Sequence, residues 1–515
     1  MKKDSIKRVI SVLILFTMVF LFACSQEDDI DSEFGKEMAA TAEPHQGVQD
    51  EAKRISGESN PLPDIEVEKK IKWLTWHPMD ETSATAELFK AKYGVPDKEN
   101  GDNIISLLTV KYDDRYERLG MLIQSGDSPD MFQFEERNYP YSVYNKLCEP
   151  VDEIFDFDKP EWDATRDTMK LFNWGGRNYT AITVLNNSTS LLFYRKSVVE
   201  GAGLKDPYEL WQKDEWDWNT FMDMCKGFTD VEEGKYSVMG YYIDESAILT
   251  TGVGILSLEN GLLKNNLDDL RIERAMDLLS QLSANDYRYP YHELNNWNLN
   301  KGLFRSGNLL FWNDGPWVYQ EDLTEYRRRD DWADDEVCVV PFPKDPNSDI
   351  YYQRGKQDAM MLAAGAQNKE GFEAWVMCEL VAANDEGMKE QSRDKLKVDY
   401  HWTDAQLDAL DKILELPVVF DFKNGIGEDL ADATNSRSPI ESLTKPVIVE
   451  GESFIQHREA YRGVIEKRIA DMNSDSGPPN IKGGGVPVQL ILAIVIGLAV
   501  LVVIGIVVFK KIRGY

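Results

Sequence analysis

Cysteine and histidine are both scarce in this sequence, and each shortage excludes a class of site. Five cysteines among 515 residues are too few for a disulfide scaffold. The five histidines never approach the spacing of metal ligands, so we expect no His-based metal site and no cofactor. Four of the cysteines are widely separated and are predicted to be buried apolar side chains, namely Cys148, Cys225, Cys338 and Cys378.

Positive charge is in short supply as well. Lysine and arginine total 57 against 89 aspartates and glutamates, which gives a net charge of −32 at pH 7. Proteins that follow nucleic acid need clustered basic residues, so we expect no nucleic-acid partner. At 43% hydrophobic and 11% aromatic residues, the chain is nevertheless rich enough in apolar groups to fold.

Motifs of common enzyme active sites are also missing. The sequence contains no G-x-S-x-G elbow, no G-x-x-x-x-G-K-[ST] phosphate loop and no H-E-x-x-H. Adjacent acids such as Glu135 and Glu136 arise by chance in so acidic a chain, whereas a glycosidase needs two carboxyls held across a cleft. We therefore expect a protein that is not an enzyme, with a divergent hydrolase as a disfavoured alternative.

The first residues have the pattern of an export signal. Basic residues precede an apolar run over positions 9–22, which is too short to span a bilayer comfortably. The run ends in Leu21-Phe22-Ala23-Cys24, which resembles the lipobox of bacterial lipoproteins, in which the cysteine carries lipid. We predict a signal peptide over residues 1–23 and a lipid on Cys24, with an ordinary signal peptide as the alternative. Residues 24–70 are acidic and lack apolar periodicity, which predicts a disordered tether.

The C-terminal segment has the pattern of a membrane anchor. An uninterrupted apolar run over positions 490–509 matches the thickness of a hydrocarbon core of about 30 Å. Basic residues follow it, and the positive-inside rule places them in the cytoplasm. We predict a flexible linker over 476–488, a transmembrane helix over 489–509 and a basic cytoplasmic tail over 510–515. Each terminal segment carries a net charge of +3, so the part between them carries −38.

Strand-like and helix-like patterns alternate in the part between the two ends. Strands are predicted at residues 71–76, 104–110, 131–134, 181–185, 191–194, 309–312 and 337–340. Helices are predicted at residues 83–93, 116–124, 218–227, 267–283, 300–306, 372–383, 404–416 and 451–472. This alternation predicts parallel α/β sheets, and the region is long enough for two lobes.

Aromatic residues give the best indication of a ligand. The chain holds 13 tryptophans and 22 tyrosines, and some of them, such as Trp76, Trp312 and Trp317, stand at or just after predicted strand ends. A ring at a strand end can enter a cleft, where its flat apolar face suits the C–H face of a sugar. Neighbouring Asn, Asp and Glu side chains can hydrogen-bond hydroxyl groups. For any single tryptophan, packing in the core remains the alternative.

Three groups of motifs carry a family resemblance over roughly residues 71–472. The first is an amphipathic helix followed by GDSPD at 126–130, a turn that we expect to end the helix and start a strand. The others are LFYRK at 192–196 with AGL at 202–204 and WDWN at 216–219, and FRSGN at 304–308 with GPW at 315–317 and VPFP at 340–343. Together they resemble the extracellular solute-binding proteins of ABC importers, in the sugar-binding class that includes maltose-binding protein.

The resemblance implies a two-lobed α/β fold of the periplasmic-binding-protein type, type II-like, with a hinge and a ligand cleft between the lobes. The binding domain is expected over residues 71–475, with crossings between the lobes near 183–190 and 341–356. Ligand closes the lobes because the cleft contacts favour the closed state. The closed form is then presented to the permease subunits of an ABC importer.

The resemblance also assigns ligand contacts residue by residue. Trp317 matches the tryptophan of the family's G-x-W motif, on which a sugar often stacks. With the strand-end Trp312, the predicted ligand-binding residues are Trp317, Trp76, His77, Glu135, Glu136, Asn187, Ser188, Trp312 and Arg354. The Gly126, Pro129 and Asp130 positions are expected to be structural.

The resulting hypothesis is a solute-binding protein that captures a carbohydrate, in particular an oligosaccharide, for an ABC importer. Its binding domain is expected outside a bacterium with a single membrane, held by the N-terminal lipid and the C-terminal helix. Typical members of this family have a lipid or a free N-terminus but no C-terminal span. The alternative is therefore a dual-anchored surface glycan-capture or sensory ectodomain that serves no transporter of its own.

Overall fold

The computed structural model describes most of the central part of the chain. The described residues are 46–57, 62–65, 70–77, 79–80, 82–94, 105–112, 114–135, 139–185, 190–290, 297–323, 330, 332–333, 336–427 and 438–474. None of the helices within these ranges is both long enough and apolar enough to cross a membrane. The predicted signal peptide over 1–23, Cys24, the linker over 476–488, the membrane span over 489–509 and the tail over 510–515 lie outside them.

The secondary structure alternates between strands and helices. The strands are β1 Ile71–Thr75, β2 Ile105–Thr109, β3 Met131–Gln133, β4 Ala181–Leu185, β5 Leu191–Arg195, β6 Tyr236–Met239, β7 Leu256–Glu259, β8 Leu262–Asn265, β9 Leu309–Asp314, β10 Val337–Pro341, β11 Gln353–Arg354, β12 Gln357–Leu362 and β13 Val418–Val419. The helices are α1 Gln46–Gly57, α2 Ala84–Tyr93, α3 Arg115–Ser125, α4 Tyr141–Tyr144, α5 Arg166–Leu171, α6 Lys196–Gly201, α7 Pro207–Gln212, α8 Trp218–Phe228, α9 Ile243–Leu249, α10 Leu270–Ala284, α11 Trp297–Ser306, α12 Lys369–Asn384, α13 Glu386–Tyr400, α14 Asp404–Leu414, α15 Pro439–Glu450 and α16 Phe454–Asn473.

The first sheet holds five of the described strands in the order β2-β1-β3-β12-β4. Strand β1 runs parallel to β2 and β3, whereas β12 runs antiparallel to both β3 and β4. The carboxyl ends of β1, β2, β3 and β4 therefore share one edge. Because Gln357 pairs with Leu185, β12 begins at that same edge. Helix α12 packs against β4 and β12 and also contacts α2.

The second sheet holds four of the described strands in the order β10-β5-β9-β6. Strand β5 is antiparallel to β10 and β9, and β6 is parallel to β9. Leu191 pairs with both Asp314 and Pro341, so the start of β5 and the ends of β9 and β10 share an edge. The first four residues of β5 are fully buried, as expected for a short apolar run in a sheet that is covered on both faces.

Followed from strand to strand, the chain passes between the two sheets twice. It leaves the first sheet after Leu185 and enters the second at Leu191, and it returns between Pro341 and Gln357. Both sheets belong to one compact unit that ends at Ile469. The predicted two-lobed α/β architecture is therefore confirmed.

A buried carboxylate fixes the turn that precedes β3. Asp130 accepts hydrogen bonds from the backbone N–H groups of Lys72 at 2.8 Å, Gln367 at 3.0 Å and Asn368 at 2.8 Å. Gly126 ends α3 in the left-handed conformation at φ 77°, which a glycine adopts without steric cost. The GDSPD motif is structural, as its sequence predicts.

The structure corrects the prediction of a disordered tether over residues 24–70. Within that range, Gln46–Gly57 form helix α1, which packs against α2 and α13. Arg54 Nη2 donates to both carboxylate oxygens of Asp385, at 2.8 and 2.7 Å. The buried face of the helix consists of Val48, Ala52 and Ile55. The prediction was wrong here because three apolar residues on one face are enough to hold a charged helix when a neighbouring surface buries them.

Candidate functional site

Three of the predicted ligand-binding residues meet at the shared edge of the first sheet. Trp76 and His77 directly follow β1, and Glu135 follows β3. The ring of Trp76 lies edge-on to that of Tyr112, with centroids 5.4 Å apart. His77 Nε2 lies 3.1 Å from the side-chain oxygen of Gln133, the last residue of β3. Both strand ends thus contribute to one surface of aromatic and polar groups.

Arg115 joins these residues into one cluster. Its Nε donates to Glu135 Oε1 at 2.9 Å, and its Nη2 donates to Glu135 Oε2. The guanidinium carbon lies 3.7 Å from the Tyr112 ring centroid and 5.2 Å from that of Trp76. Burial alone would lower the pKa of Arg115, but the hydrogen bond and charge of Glu135 raise it above its ordinary value. The Glu135 carboxylate is therefore already neutralised within the protein.

Trp317 stands on the side of the second sheet, three residues after β9. Its indole ring is half-buried and lies edge-on to Tyr242, with centroids 5.9 Å apart. The ring packs so closely on Gly315 that a Cβ atom there would overlap it. This close approach explains why the G-x-W motif begins with glycine. The ring is thus held in place by Gly315 and Tyr242.

Arg354 belongs to a network of charges behind Tyr242. Its Nε donates to Glu245 Oε2 at 2.5 Å, and its guanidinium carbon lies 4.8 Å from the Tyr242 ring centroid. Lys423 Nζ lies 3.3 Å from the other oxygen of Glu245. Burial alone would lower the pKa of Lys423, but the charges of Glu245 and Asp421 raise it. Arg354 therefore supports Tyr242 and carries no uncompensated charge.

Trp312 does not lie at the site. It belongs to β9, has no exposed surface and packs against Phe304 at a centroid distance of 5.7 Å. Its neighbours in the sheet are Phe193 and Met239. The prediction that it contacts ligand is wrong, because its place on a central strand directs the ring into the core. Glu136, Asn187 and Ser188 lie outside the described residues.

Lys356 lies at the edge of the first sheet and near an aromatic ring on the side of the second. It directly precedes β12 at the shared edge of the first sheet, and its Nζ lies 5.9 Å from the Trp317 ring centroid. Ligands of open α/β sheets bind outside the carboxyl ends of the strands, which is where both groups lie. Tyr112, Tyr242 and Lys356 are not predicted from the sequence. A common offset could have revealed the tyrosines, since Tyr112, Tyr242 and Trp317 each stand three residues after a strand end.

Known proteins resemble the chain in both sequence and fold. The family described as bacterial extracellular solute-binding protein matches residues 85–395, which is more than half of the chain. No curated protein sequence matches it.

Three solved structures share the fold at low sequence identity. A cyclo/maltodextrin-binding protein complexed with maltotetraose has a TM-score of 0.54 and 14% identity, over 81% of this chain and 100% of that one. An ABC substrate-binding protein from Listeria monocytogenes in complex with cycloalternan has a TM-score of 0.55 and 14% identity, over 78% and 99%. A receptor of Streptomyces glaucescens, solved unliganded and with acarbose, has a TM-score of 0.54 and 16% identity, over 79% and 100%. These likenesses concern the fold.

Proposed function

Because the chain belongs to the family of bacterial extracellular solute-binding proteins, we propose that it captures a carbohydrate between its two lobes and delivers it to an ABC importer. The ligand is an oligosaccharide bound at the edges of the two sheets. No chemistry is performed on it, so the protein is a binding protein and not an enzyme. The alternative is a surface glycan-capture or sensory ectodomain that uses the same site without a transporter.

One observation carries the choice of ligand class. Tyr112, Tyr242 and Trp317 occupy the same offset after three strand ends, and Trp76 lies against Tyr112. Aromatic rings at the edges of both sheets, with the polar groups of His77 beside those of the first, suit the alternating C–H and hydroxyl surface of sugars. The solved structures of similar fold with maltotetraose, cycloalternan and acarbose support the same class.

The proposed contacts divide between direct and supporting residues. Trp317, Trp76 and His77 contact the ligand, and Glu136, Asn187 and Ser188 remain predicted contacts outside the described residues. Glu135 and Arg354 act through their partners, because both are bound in ion pairs with Arg115 and Glu245. Closure of the lobes follows if the ligand makes more of these contacts in the closed state than in the open state.

The family places the binding domain outside the cell, and the membrane attachment is part of the proposal. We expect lipid on Cys24 and a membrane span over 489–509, with ABC permease subunits as partners. A labelled fatty acid that enters the wild-type protein but not a Cys24→Ser variant would support the lipid anchor. Equal labelling of the wild type and the variant would contradict a lipid on Cys24.

Thermal unfolding of the full chain with candidate ligands tests the function. A ligand that binds the folded state alone raises stability by RT ln(1 + [L]/Kd), about 2.7 kcal/mol at one hundred times Kd. We expect oligosaccharides to raise the melting temperature and peptides to leave it unchanged. A clear shift with peptides and none with any saccharide would overturn the ligand class.

The variant Trp317→Ala tests the site itself. We expect it to weaken saccharide binding at least tenfold, a loss of about 1.4 kcal/mol, while the melting temperature of the free protein changes little. The matched control is Trp332→Ala. Trp332 is also half-buried, but it packs on Arg195, which lies at the end of β5 away from the candidate site. Equal losses of affinity in both variants would show that Trp317 has no special role.

A further inference from the structure

We propose that the saccharide bound by this protein carries an anionic substituent, a carboxylate or a sulfate, and that Lys356 recognises it. The inference rests on the proposed function, because it names the class of saccharide that the same site takes. Lys356 is half-buried and directly precedes Gln357, the residue that pairs with Leu185 at the edge of the first sheet. It therefore lies in the candidate site and not on a remote solvated face.

The ammonium group of Lys356 has no acidic partner among the residues that the structure describes. Its Nζ lies 5.9 Å from the Trp317 ring centroid. It makes no ion pair or hydrogen bond with any other side chain that the structure describes. The distance is at the outer limit of about 6 Å for cation–π attraction, so the ring alone satisfies the charge poorly. Three N–H donors remain available to a ligand.

Three other cations near the site lie against carboxylates. Arg115 pairs with Glu135 and Arg354 with Glu245, and Lys423 contacts Glu245 with the charge of Asp421 close by. Acidic residues outnumber basic ones by 89 to 57 in this chain, so a half-buried base without an acid runs against the composition. Among these cations, Lys356 carries the charge that the protein leaves uncompensated.

The backbone on both sides of Lys356 is fixed. Gly355 donates to Val419 O at 2.8 Å and packs so closely on the Phe420 ring that a Cβ atom would overlap it. On the other side, Gln357 is paired into the first sheet. The backbone position of Lys356 is thus set before ligand binds, so the entropy lost on binding is mainly that of its side chain.

The geometry fits a charged sugar stacked on Trp317. Substituents of a sugar ring project beyond the rim of the aromatic ring that it covers, and the flexible four-carbon stem of a lysine can follow them. Lysine acts as a point charge and does not impose the two-pronged geometry of arginine, so it accepts a carboxylate or a sulfate. The shared requirement is one negative charge close to the stacked ring.

The strong negative charge of the whole protein does not contradict this preference. At physiological ionic strength the Debye length is about 8 Å, so distant carboxylates are largely screened at the site. They slow the encounter with an acidic ligand more than they weaken its bound state. The local charge at Lys356 decides the affinity.

Isothermal titration of the full chain with trigalacturonic acid and with its neutral methyl ester tests the proposal. A charge-assisted hydrogen bond should make the acid bind about tenfold more tightly than the ester at low salt. We expect Lys356→Met to abolish this preference and Lys356→Arg to retain it, with unchanged melting temperatures of the free variants. A sulfated trisaccharide in a parallel titration shows whether the site prefers carboxylate or sulfate.

Two outcomes would overturn the inference while leaving the proposed function intact. One is wild-type protein that binds neutral saccharides at least as tightly as their charged counterparts. The other is a Lys356→Met variant that keeps the preference for the acid. Absence of binding to every saccharide, neutral or charged, would instead overturn the proposed function and this inference with it.

Discussion

Glu379 is a carboxylic acid whose surroundings favour its neutral form. It lies in α12, and its Oε2 atom is buried without a hydrogen-bond partner. Burial, reinforced by the charge of Asp358, raises its pKa to about 8 from an ordinary value of 4.5. The folded protein therefore holds the proton more tightly than the unfolded chain does.

This raised pKa predicts that stability falls as the pH rises from about 5 to about 8. The stabilisation is complete below pH 4.5, where both states are protonated, and is lost as the pH rises through the folded-state pKa of about 8. Between pH 5 and pH 8 we expect the free energy of unfolding to fall by on the order of 3 kcal/mol from this group. Urea unfolding at several pH values measures it, and Glu379→Gln should remove this contribution.

The exposed Glu390 provides the control for Glu379. Glu390→Gln makes the same substitution at an exposed position of α13, and we expect it to retain the fall in stability between pH 5 and pH 8. Identical pH profiles of the wild type and Glu379→Gln would show that Glu379 does not hold its proton.

Some positions at the site can be placed from sequence and others cannot. Trp76, His77 and Glu135 follow strands, and the carboxyl ends of parallel strands share an edge, so their meeting is predictable. Arg115 stands 20 residues before Glu135, and only the register of the sheet brings the two together. Trp312 shows the opposite error, because a ring at a predicted strand end is buried when the strand extends two residues further.

Among the elements, strands that alternate with helices are predicted well. Strand β12, with which the chain returns to the first sheet, is not predicted. The predicted strands at 71–76, 191–194 and 337–340 match β1, β5 and β10 within one residue at each end. Strand β12 combines two polar residues with a short apolar run, a pattern that does not distinguish a strand from part of a helix. Its partners β3 and β4 lie far away in sequence, so they supply the missing information only in the fold.

Helix α13 escapes sequence prediction for a related reason. Among its 15 residues, only Met388 is buried, so no apolar stripe reveals it. Its ends are fixed locally, since Asp385 accepts from the N–H group of Met388 and His401 ends the helix in the left-handed conformation at φ 57°. Helix α13 also packs against α1, a contact that depends on the fold and not on the sequence of either helix alone.

Helix α1 leads to a prediction about where the folded domain begins. A helix of 12 residues is marginal in water, so α1 owes its stability to the surface that receives Ile55 and Val48. A chain that starts at residue 71 should be less stable to urea than one that starts at residue 46 by about 3 kcal/mol, the value of burying these apolar groups. Equal stability of the two chains would show that residues 46–57 do not stabilise the folded domain, as expected of a tether.

Single substitutions in α1 separate packing from chain length. Ile55→Ala in the full chain should cost about 2 kcal/mol or more, because it leaves a cavity between α1 and its neighbours. Lys53→Ala is the matched control, since Lys53 is exposed on the same helix and should change stability by less than about 0.5 kcal/mol. Similar losses of stability in both variants would show that burial of Ile55 does not account for the stabilisation by α1.

At the scale of the whole molecule, the segment over residues 418–427 contacts the surroundings of both sheets. The Phe420 and Phe422 rings pack on Phe172, which lies between β3 and β4, at centroid distances of 5.1 and 5.3 Å. Asp421 Oδ1 accepts from the N–H group of Leu256, which lies between β5 and β10, at 3.0 Å. Alternate side chains thus face the two halves, as in an extended chain held between them.

The net charge of the molecule makes such apolar coupling more important. The part between the two terminal segments carries −38, and like charges in a compact state repel one another. Ion pairs such as Arg115 with Glu135 offset this only locally. Contacts that are insensitive to charge, such as the two phenylalanine rings, therefore decide whether the two halves unfold together.

The double variant Phe420→Ala and Phe422→Ala should uncouple the two halves. We expect the wild type to unfold in one calorimetric transition and the double variant in two, because the removed rings are the apolar link to Phe172. Phe221→Ala is the matched control, since Phe221 is fully buried against Phe311 of the second sheet. It should lower the melting temperature within a single transition. Two transitions in the wild type, or one in the double variant, would show that the segment does not couple the two halves.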